Sequence, residues 1–156
     1  MAAEPPAVAA PRGCSSFKLR QADRLASRHY DRFVGATGLK TSQYSLLSHV
    51  ATLGPIRPAD LASRMALEPS TLTRNLRPLV AQGWLELGPG VDDRSRLVSI
   101  TEAGRAKRTE VQRAWKKAQL AFNARLGEER VARLHALLDE CIALLSDGSP
   151  GDEGDA

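Results

Sequence analysis

Apolar residues recur along this chain at two different periods, and the change of period marks its elements. Leu19, Ala22, Ala26, Tyr30 and Phe33 are spaced three and four apart and predict a first helix with one buried face. Gly35 and Gly38 in "GATGL" stop it. "TSQYSLLSHVATLG" predicts a second helix capped by Thr41 or Ser42, with Tyr44, Leu47 and Val50 on one side and Gly54-Pro55 as its end. Two short helices follow. "RPADLASRM" has Pro58 near its first turn and Leu61 and Met65 one turn apart. "PSTLTRNLRPLVAQG" begins at Pro69, turns Leu72, Leu76, Leu79 and Val80 inward and stops at Gly83.

The period then shortens to two. "WLEL" and "LVSIT" read as the strands of a hairpin, joined by the turn-rich tip "GPGVDDRSR". Thr101 caps a long helix with Val111, Trp115, Ala118 and Phe122 on its inner face. After a break near Gly127, Val131, Leu134, Leu138, Cys141 and Leu145 give a last helix an apolar stripe. The order is four helices, a β-hairpin and two helices, with no internal repeat.

Composition narrows the class. The 156 residues suit one domain, and no apolar run approaches the roughly 20 residues that span a bilayer, so no membrane partner is expected. The N-terminal "MAAEPPAVAAPRG" is Ala/Pro-rich and lacks the basic and apolar regions of a secretory signal, so residues 1–13 read as a disordered arm. Cys14 and Cys141 lie far apart and give neither a disulfide framework nor zinc spacing, which favours the reducing cytoplasm. Lys and Arg exceed Asp and Glu by four, but "DGSPGDEGDA" over 147–156 holds four acids and no base. The body before that acidic, disordered tail has 22 bases against the remaining 14 acids, or +8, which suits a polyanion.

Catalytic signatures do not emerge. His29, His49 and His135 stand singly, without a carboxylate or second histidine at ligand spacing. No nucleophile elbow or phosphate-cradling glycine loop appears, so neither an enzyme nor a cofactor or metal is expected.

The informative unit is Arg57 to Thr101. Two short helices with a tight turn, followed at once by a hairpin, match a winged helix-turn-helix, whose second helix enters the major groove of double-stranded DNA. Removing the core positions of that helix leaves Ser70, Thr71, Thr73, Arg74 and Arg77 facing outward, with no acidic residue among them. Hydroxyls and guanidinium groups suit phosphates and base edges. The hairpin tip packs four charges into Asp92-Asp93-Arg94-Ser95-Arg96. Arg94 and Arg96 on such a projection suit the negative potential of the minor groove. Asp92 or Asp93 is expected to pair with a neighbouring arginine and shape the tip.

The stretch "LASRMALEPSTLTRNLRPLVAQGWLELGPGVDDRSRLVSITEAG" resembles the MarR family of bacterial transcriptional regulators. The Asp93-Arg94-Ser95-Arg96 tip, "LVSIT" and "TEAG" carry the resemblance, which runs from about Phe17 to Leu145. It implies a mainly α fold with a small β-hairpin, a winged helix-turn-helix plus a helical dimerisation domain. The expected DNA-binding lobe is 55–101, and the dimerisation region is 14–53 with 102–146. It also implies a homodimer, a palindromic operator and, most often, repression. Pro78, inside the recognition helix, departs from the pattern and is expected to kink that helix or shorten its C-terminal half. A winged helix used only to bind protein is the rival from another class.

Release by a small anionic or aromatic effector, or by cysteine oxidation, is a further implication of the resemblance. Tyr30, His49, Arg20 and Arg24 are the candidate effector residues. Cys14 is the redox candidate: it starts the first helix near Lys18 and Arg20. Aligning Tyr30 with the tyrosine of peroxide-sensing relatives sets their cysteine on Ser16 and their second tyrosine on Arg20, so those partners are missing here. A disulfide from Cys14 of one subunit to Cys141 of the other is the third possibility.

Overall fold

A computed structural model describes residues 10–90, 92 and 95–147. The chain runs α1 (Ser15–Val34), a 3₁₀ turn (Gly35–Thr37), α2 (Thr41–Leu53), α3 (Pro58–Arg64), α4 (Pro69–Ala81), β1 (Leu85–Pro89), β2 (Arg96–Ile100), α5 (Glu102–Leu126) and α6 (Glu128–Asp147). The order of elements follows the change of apolar period. Residues 1–9 of the expected arm, and the acidic tail beyond Asp147, lie outside the described residues.

One apolar core joins the winged lobe to the helices around it. Leu46, Leu47 and Val50 of α2 meet Leu61 of α3, Leu72, Leu76 and Leu79 of α4, Leu85 and Val98 of the hairpin, and Val111 of α5. Each buried leucine contributes about 1.5–3 kcal/mol relative to its exposed state. The hairpin is antiparallel, with Leu85 opposite Ile100 and Pro89 opposite Arg96. Ile56 joins its edge: the Ile56 and Val98 backbones exchange hydrogen bonds of 3.0 and 2.8 Å. The wing therefore grows from a fixed base.

Four expectations change. The cap of α2 is Lys40, whose N–H donates to Gln43 Oε1 at 2.9 Å. Thr41 is already helical, and its N–H and hydroxyl both donate to Asp31 Oδ1 at 2.7 Å, tying α2 to α1. β1 continues through Gly88 and Pro89, which the sequence assigns to the tip, because each faces a ladder partner on β2. Pro78 does not shorten α4, which runs on to Ala81. Proline cannot donate to the Arg74 carbonyl, but both residues are exposed, so the loss falls where water can replace it.

The fourth change concerns the outer helices. On α1 the predicted buried face is half-buried at Ala26, Tyr30 and Phe33, while Leu19 and Ala22 are exposed. On α6 only Val131 of the predicted stripe is buried; Leu134 is half-buried, and Leu138, Cys141 and Leu145 are exposed. Phe17, Leu25, Leu120, Leu137, Ile142 and Leu144 also stand out of the core. A single chain does not cover these faces.

Candidate nucleic-acid interface

The start of α4 is fixed by Pro69 at its first position, where a missing N–H costs nothing. Its end is fixed by Gly83 at φ +75°, after which the Trp84 N–H donates to the Leu79 carbonyl at 3.0 Å. Between these limits, burial of Leu72, Leu76 and Leu79 sets the rotation of the helix. Ser70, Thr73, Arg74 and Arg77 are consequently exposed, and Thr71 is half-buried. The Thr73 hydroxyl donates to the Pro69 carbonyl at 3.0 Å, leaving its lone pairs outward. The exposed face thus offers two guanidinium groups and hydroxyls with no carboxylate on the same helix.

At the foot of this face, Pro58, Thr73, Leu76, Arg77, Val80 and Leu87 line a mostly apolar groove of about 360 Å³ between α3, α4 and β1. Arg57 precedes α3 and pairs with Asp60 at 2.8 Å, both side chains about half-exposed or more. The Asp60 hydrogen bond and charge push the Arg57 guanidinium above its usual range.

The wing tip is held by a local network. Asp92 Oδ1 accepts the Ser95 N–H at 2.7 Å, and the Gly90 N–H donates to the Ser95 carbonyl at 2.6 Å. A methyl group on Gly90 would overlap both the hydroxyl and the carbonyl of Ser95, so the closure requires glycine there. Asp92 thus shapes the tip through the Ser95 backbone N–H; the expected pairing of Asp92 or Asp93 with Arg94 lies outside the described residues. Ser95 is the residue that sequence reasoning missed, although Asp and Ser three apart is a turn signal. Arg96 is exposed beside Pro89. Asp93 and Arg94 lie outside the described residues.

The hairpin leads into α5 through Thr101, whose Oγ1 accepts the Gly104 N–H at 3.0 Å and donates to the Gly83 carbonyl at 2.6 Å. Gly104 is buried, and a methyl group there would overlap the Trp84 carbonyl oxygen. The "TEAG" sequence is therefore a joint between the wing and α5.

The four candidate effector residues do not meet in one cavity of a single chain. His49 lines an open cavity of about 400 Å³ with Ser48, Thr52, Leu53 and Arg64. Its Nδ1 lies 2.7 Å from the Ser45 carbonyl and must carry the proton there, which leaves Nε2 as an acceptor in the neutral ring. Tyr30 instead donates to Gln119 Oε1 at 2.7 Å between α1 and α5, and burial pushes its phenol above its ordinary pKa. It sits in an aromatic cluster with His29 and Phe122, where His29 Nε2 faces the Ala118 carbonyl at 2.9 Å. Arg20 and Arg24 are exposed on the N-terminal half of α1. Cys14 is the N-cap of α1, exposed and without a side-chain capping bond; Cys141 is exposed on α6.

The sequence profile of the MarR family matches residues 37–95, from the turn after α1 to the wing tip. An uncharacterised HTH-type transcriptional regulator of Bacillus subtilis, YwoH, is 30% identical over 94 residues, 60% of this chain and 69% of that protein. The chain belongs to the MarR family. It is a winged-helix transcriptional regulator of that family. The M. tuberculosis regulator MosR, solved in complex with DNA, is 28% identical with a TM-score of 0.67; the match covers 83% of this chain and 98% of that one. A mutant E. coli MarR solved with operator DNA shares the fold at a TM-score of 0.74 and 23% identity, over 81% of this chain and 91% of that one. The MarR fold thus extends well beyond the profile match, to both flanking helical regions.

Proposed function

We propose that this MarR-family protein is a homodimeric repressor that reads a near-palindromic operator. The observation that carries the reading is the outer face of α4, where Ser70, Thr73, Arg74 and Arg77 are exposed beside a rigidly based hairpin. In this reading Arg74 and Arg77 contact base edges and phosphates, Ser70, Thr71 and Thr73 fix the register, and Arg96 follows the adjacent minor groove. Arg94 joins it by its place in the sequence, with Asp92 and Asp93 shaping the tip. Complexes of MosR and MarR with DNA support the same partner here.

The dimer is built by α1, α5 and α6. Its support is the run of uncovered apolar side chains on those helices, with Leu144 and Leu145 each 74% exposed. The region 14–53 with 102–146 is the dimerisation part, and 55–101 is the DNA-reading lobe. The effector is a small anion, and the cavity of His49 and Arg64 is its preferred site because the Arg64 guanidinium can donate to a carboxylate there. Oxidation of Cys14 is the second route, supported by its exposure.

Arg77→Ala tests the interface. The side chain is exposed, so fold and dimer should survive while operator affinity falls. The slope of log affinity against log salt should shrink by about one if Arg77 neutralises a phosphate. Unchanged affinity in Arg77→Ala and in Arg74→Ala together would overturn the assignment of α4. A protein that binds a partner protein but no DNA would instead make it an interaction module.

A further inference from the structure

One ammonium group ties together three segments far apart in sequence. Lys107 lies in the second turn of α5, with its side chain only 15% exposed. Its Nζ donates to the Thr37 carbonyl at 2.5 Å and to Glu110 Oε2 at 3.1 Å, and stands 5.3 Å from the centroid of the Trp84 ring. Thr37 ends the 3₁₀ turn at the corner of α1 and α2. Trp84 stands where α4 passes into β1.

Trp84 is a firm anchor for such a contact. Its N–H is held by Leu79, and its carbonyl accepts the Thr101 N–H at 3.1 Å and the Thr101 hydroxyl at 3.2 Å. Its backbone is therefore tied both to the end of α4 and to the joint between β2 and α5. The Thr37 carbonyl is equally fixed, because the Thr37 hydroxyl donates to the Val34 carbonyl at 2.6 Å. Lys107 bridges these two anchors.

A half-buried ammonium has given up part of its water, and the carbonyl, the carboxylate and the aromatic face replace it. Charge-assisted hydrogen bonds are short and directional, so they resist displacement where apolar contacts would let helices slide. Tilting the α4–β1 junction away from the α1–α2 corner stretches at least one of the bonds Lys107 makes. We propose that Lys107 is a positioning residue for DNA recognition, setting the tilt of α4 and the wing against the dimer-forming helices and hence the separation of the two recognition helices. The inference rests on the dimeric, DNA-binding reading above. A lysine touching no DNA would then govern which half-site spacing the protein accepts.

The test uses a duplex that the wild type selects from random-sequence DNA, remade with one base pair added to or removed from its centre. Each change moves a half-site by about 3.4 Å and turns it by about 34°, given 10–10.5 base pairs per turn of 34–36 Å. The wild type should prefer the original spacing by about tenfold or more, because the DNA must deform to restore the phase. In Lys107→Met that preference should fall to within about threefold, while Lys107→Arg, which keeps the charge, retains most of it. A merely structural role would weaken binding to all three duplexes alike and leave their ratio untouched. If Lys107→Met does not fold, Lys107→Gln, which lacks the cation, takes its place with the same expected loss. A folded variant without the cation that keeps the wild-type ratio overturns the inference alone. A wild type that selects no duplex from random-sequence DNA overturns the DNA-binding reading and this inference together.

Discussion

Replacing Thr101 by valine preserves the shape of the side chain and removes its oxygen. At the joint between wing and α5 that oxygen accepts the Gly104 N–H and donates to the Gly83 carbonyl at 2.6 Å, sharing its proton with the Trp84 carbonyl at 3.2 Å. Gly104 is buried against Trp84, so water cannot readily replace the missing acceptor. Loss of an N-cap costs about 1 kcal/mol, and a buried donor left unpaired raises the cost to about 1–3 kcal/mol. Gly83 is exposed, so its carbonyl adds at most about 0.5 kcal/mol after water substitutes. The expected loss is about 2 kcal/mol, or about 4–8 °C in Tm for a chain of this size. Thermal and urea unfolding at fixed protein concentration measure it, because assembly links Tm to concentration. Thr109→Val is the control: that hydroxyl is exposed on α5 and bonds only back to the Arg105 carbonyl, so its loss should stay within about 0.5 kcal/mol. A Thr101→Val protein as stable as the Thr109→Val control would refute the account of this joint.

Four other outcomes follow from the same geometry. Gly104→Ala should destabilise by about 2 kcal/mol or more, because the atom it meets is a backbone oxygen that cannot rotate away; a neutral change in unfolding midpoint would contradict the close approach. Tyr30 has its pKa raised by burial, so its contribution is present below the ordinary value of about 10 and is lost as pH rises through the higher folded value. Tyr30→Phe should flatten the alkaline fall in stability, and an identical pH profile for the two proteins would argue against burial as the cause. Truncation before Glu128 should abolish dimerisation and DNA binding together, which sedimentation and a binding assay check; a DNA-competent monomer would remove α6 from the interface. Stoichiometric peroxide should lower operator affinity of the wild type and not of Cys14→Ser if the redox route operates, and equal responses would leave the anion route.

The apolar periods, with the prolines and glycines that punctuate them at Pro58, Pro69, Gly83 and Gly127, locate each described helix and strand, though not every boundary. The misjudged positions are those where tertiary context overrides local preference. Gly88 and Pro89 are poor strand formers, yet the ladder with β2 carries them. Pro78 breaks helices in isolation, but the buried leucines on either side hold α4 together. Periodicity also says that a face is apolar without saying which chain covers it, so α1 and α6 read as buried although one chain leaves much of them open. At the candidate interface, Ser70, Thr73, Arg74 and Arg77 follow directly from subtracting core positions. Lys107 and Trp84 do not, because Lys107 is 70 residues from the carbonyl it holds. The pairing of His49 with Arg64 is equally hidden, since basic and aromatic residues recur throughout the chain and spacing does not bring two helices together.

The claim that two copies of this chain read two half-sites is tested most directly by the mass of the complex and its salt dependence on one duplex. Two chains should bind a palindromic duplex selected by the protein. Affinity should fall as log salt rises with a slope of about −0.9 per phosphate neutralised, and binding to a duplex with one half-site scrambled should be much weaker. One chain per duplex, or equal affinity for the intact and scrambled duplexes, would contradict it.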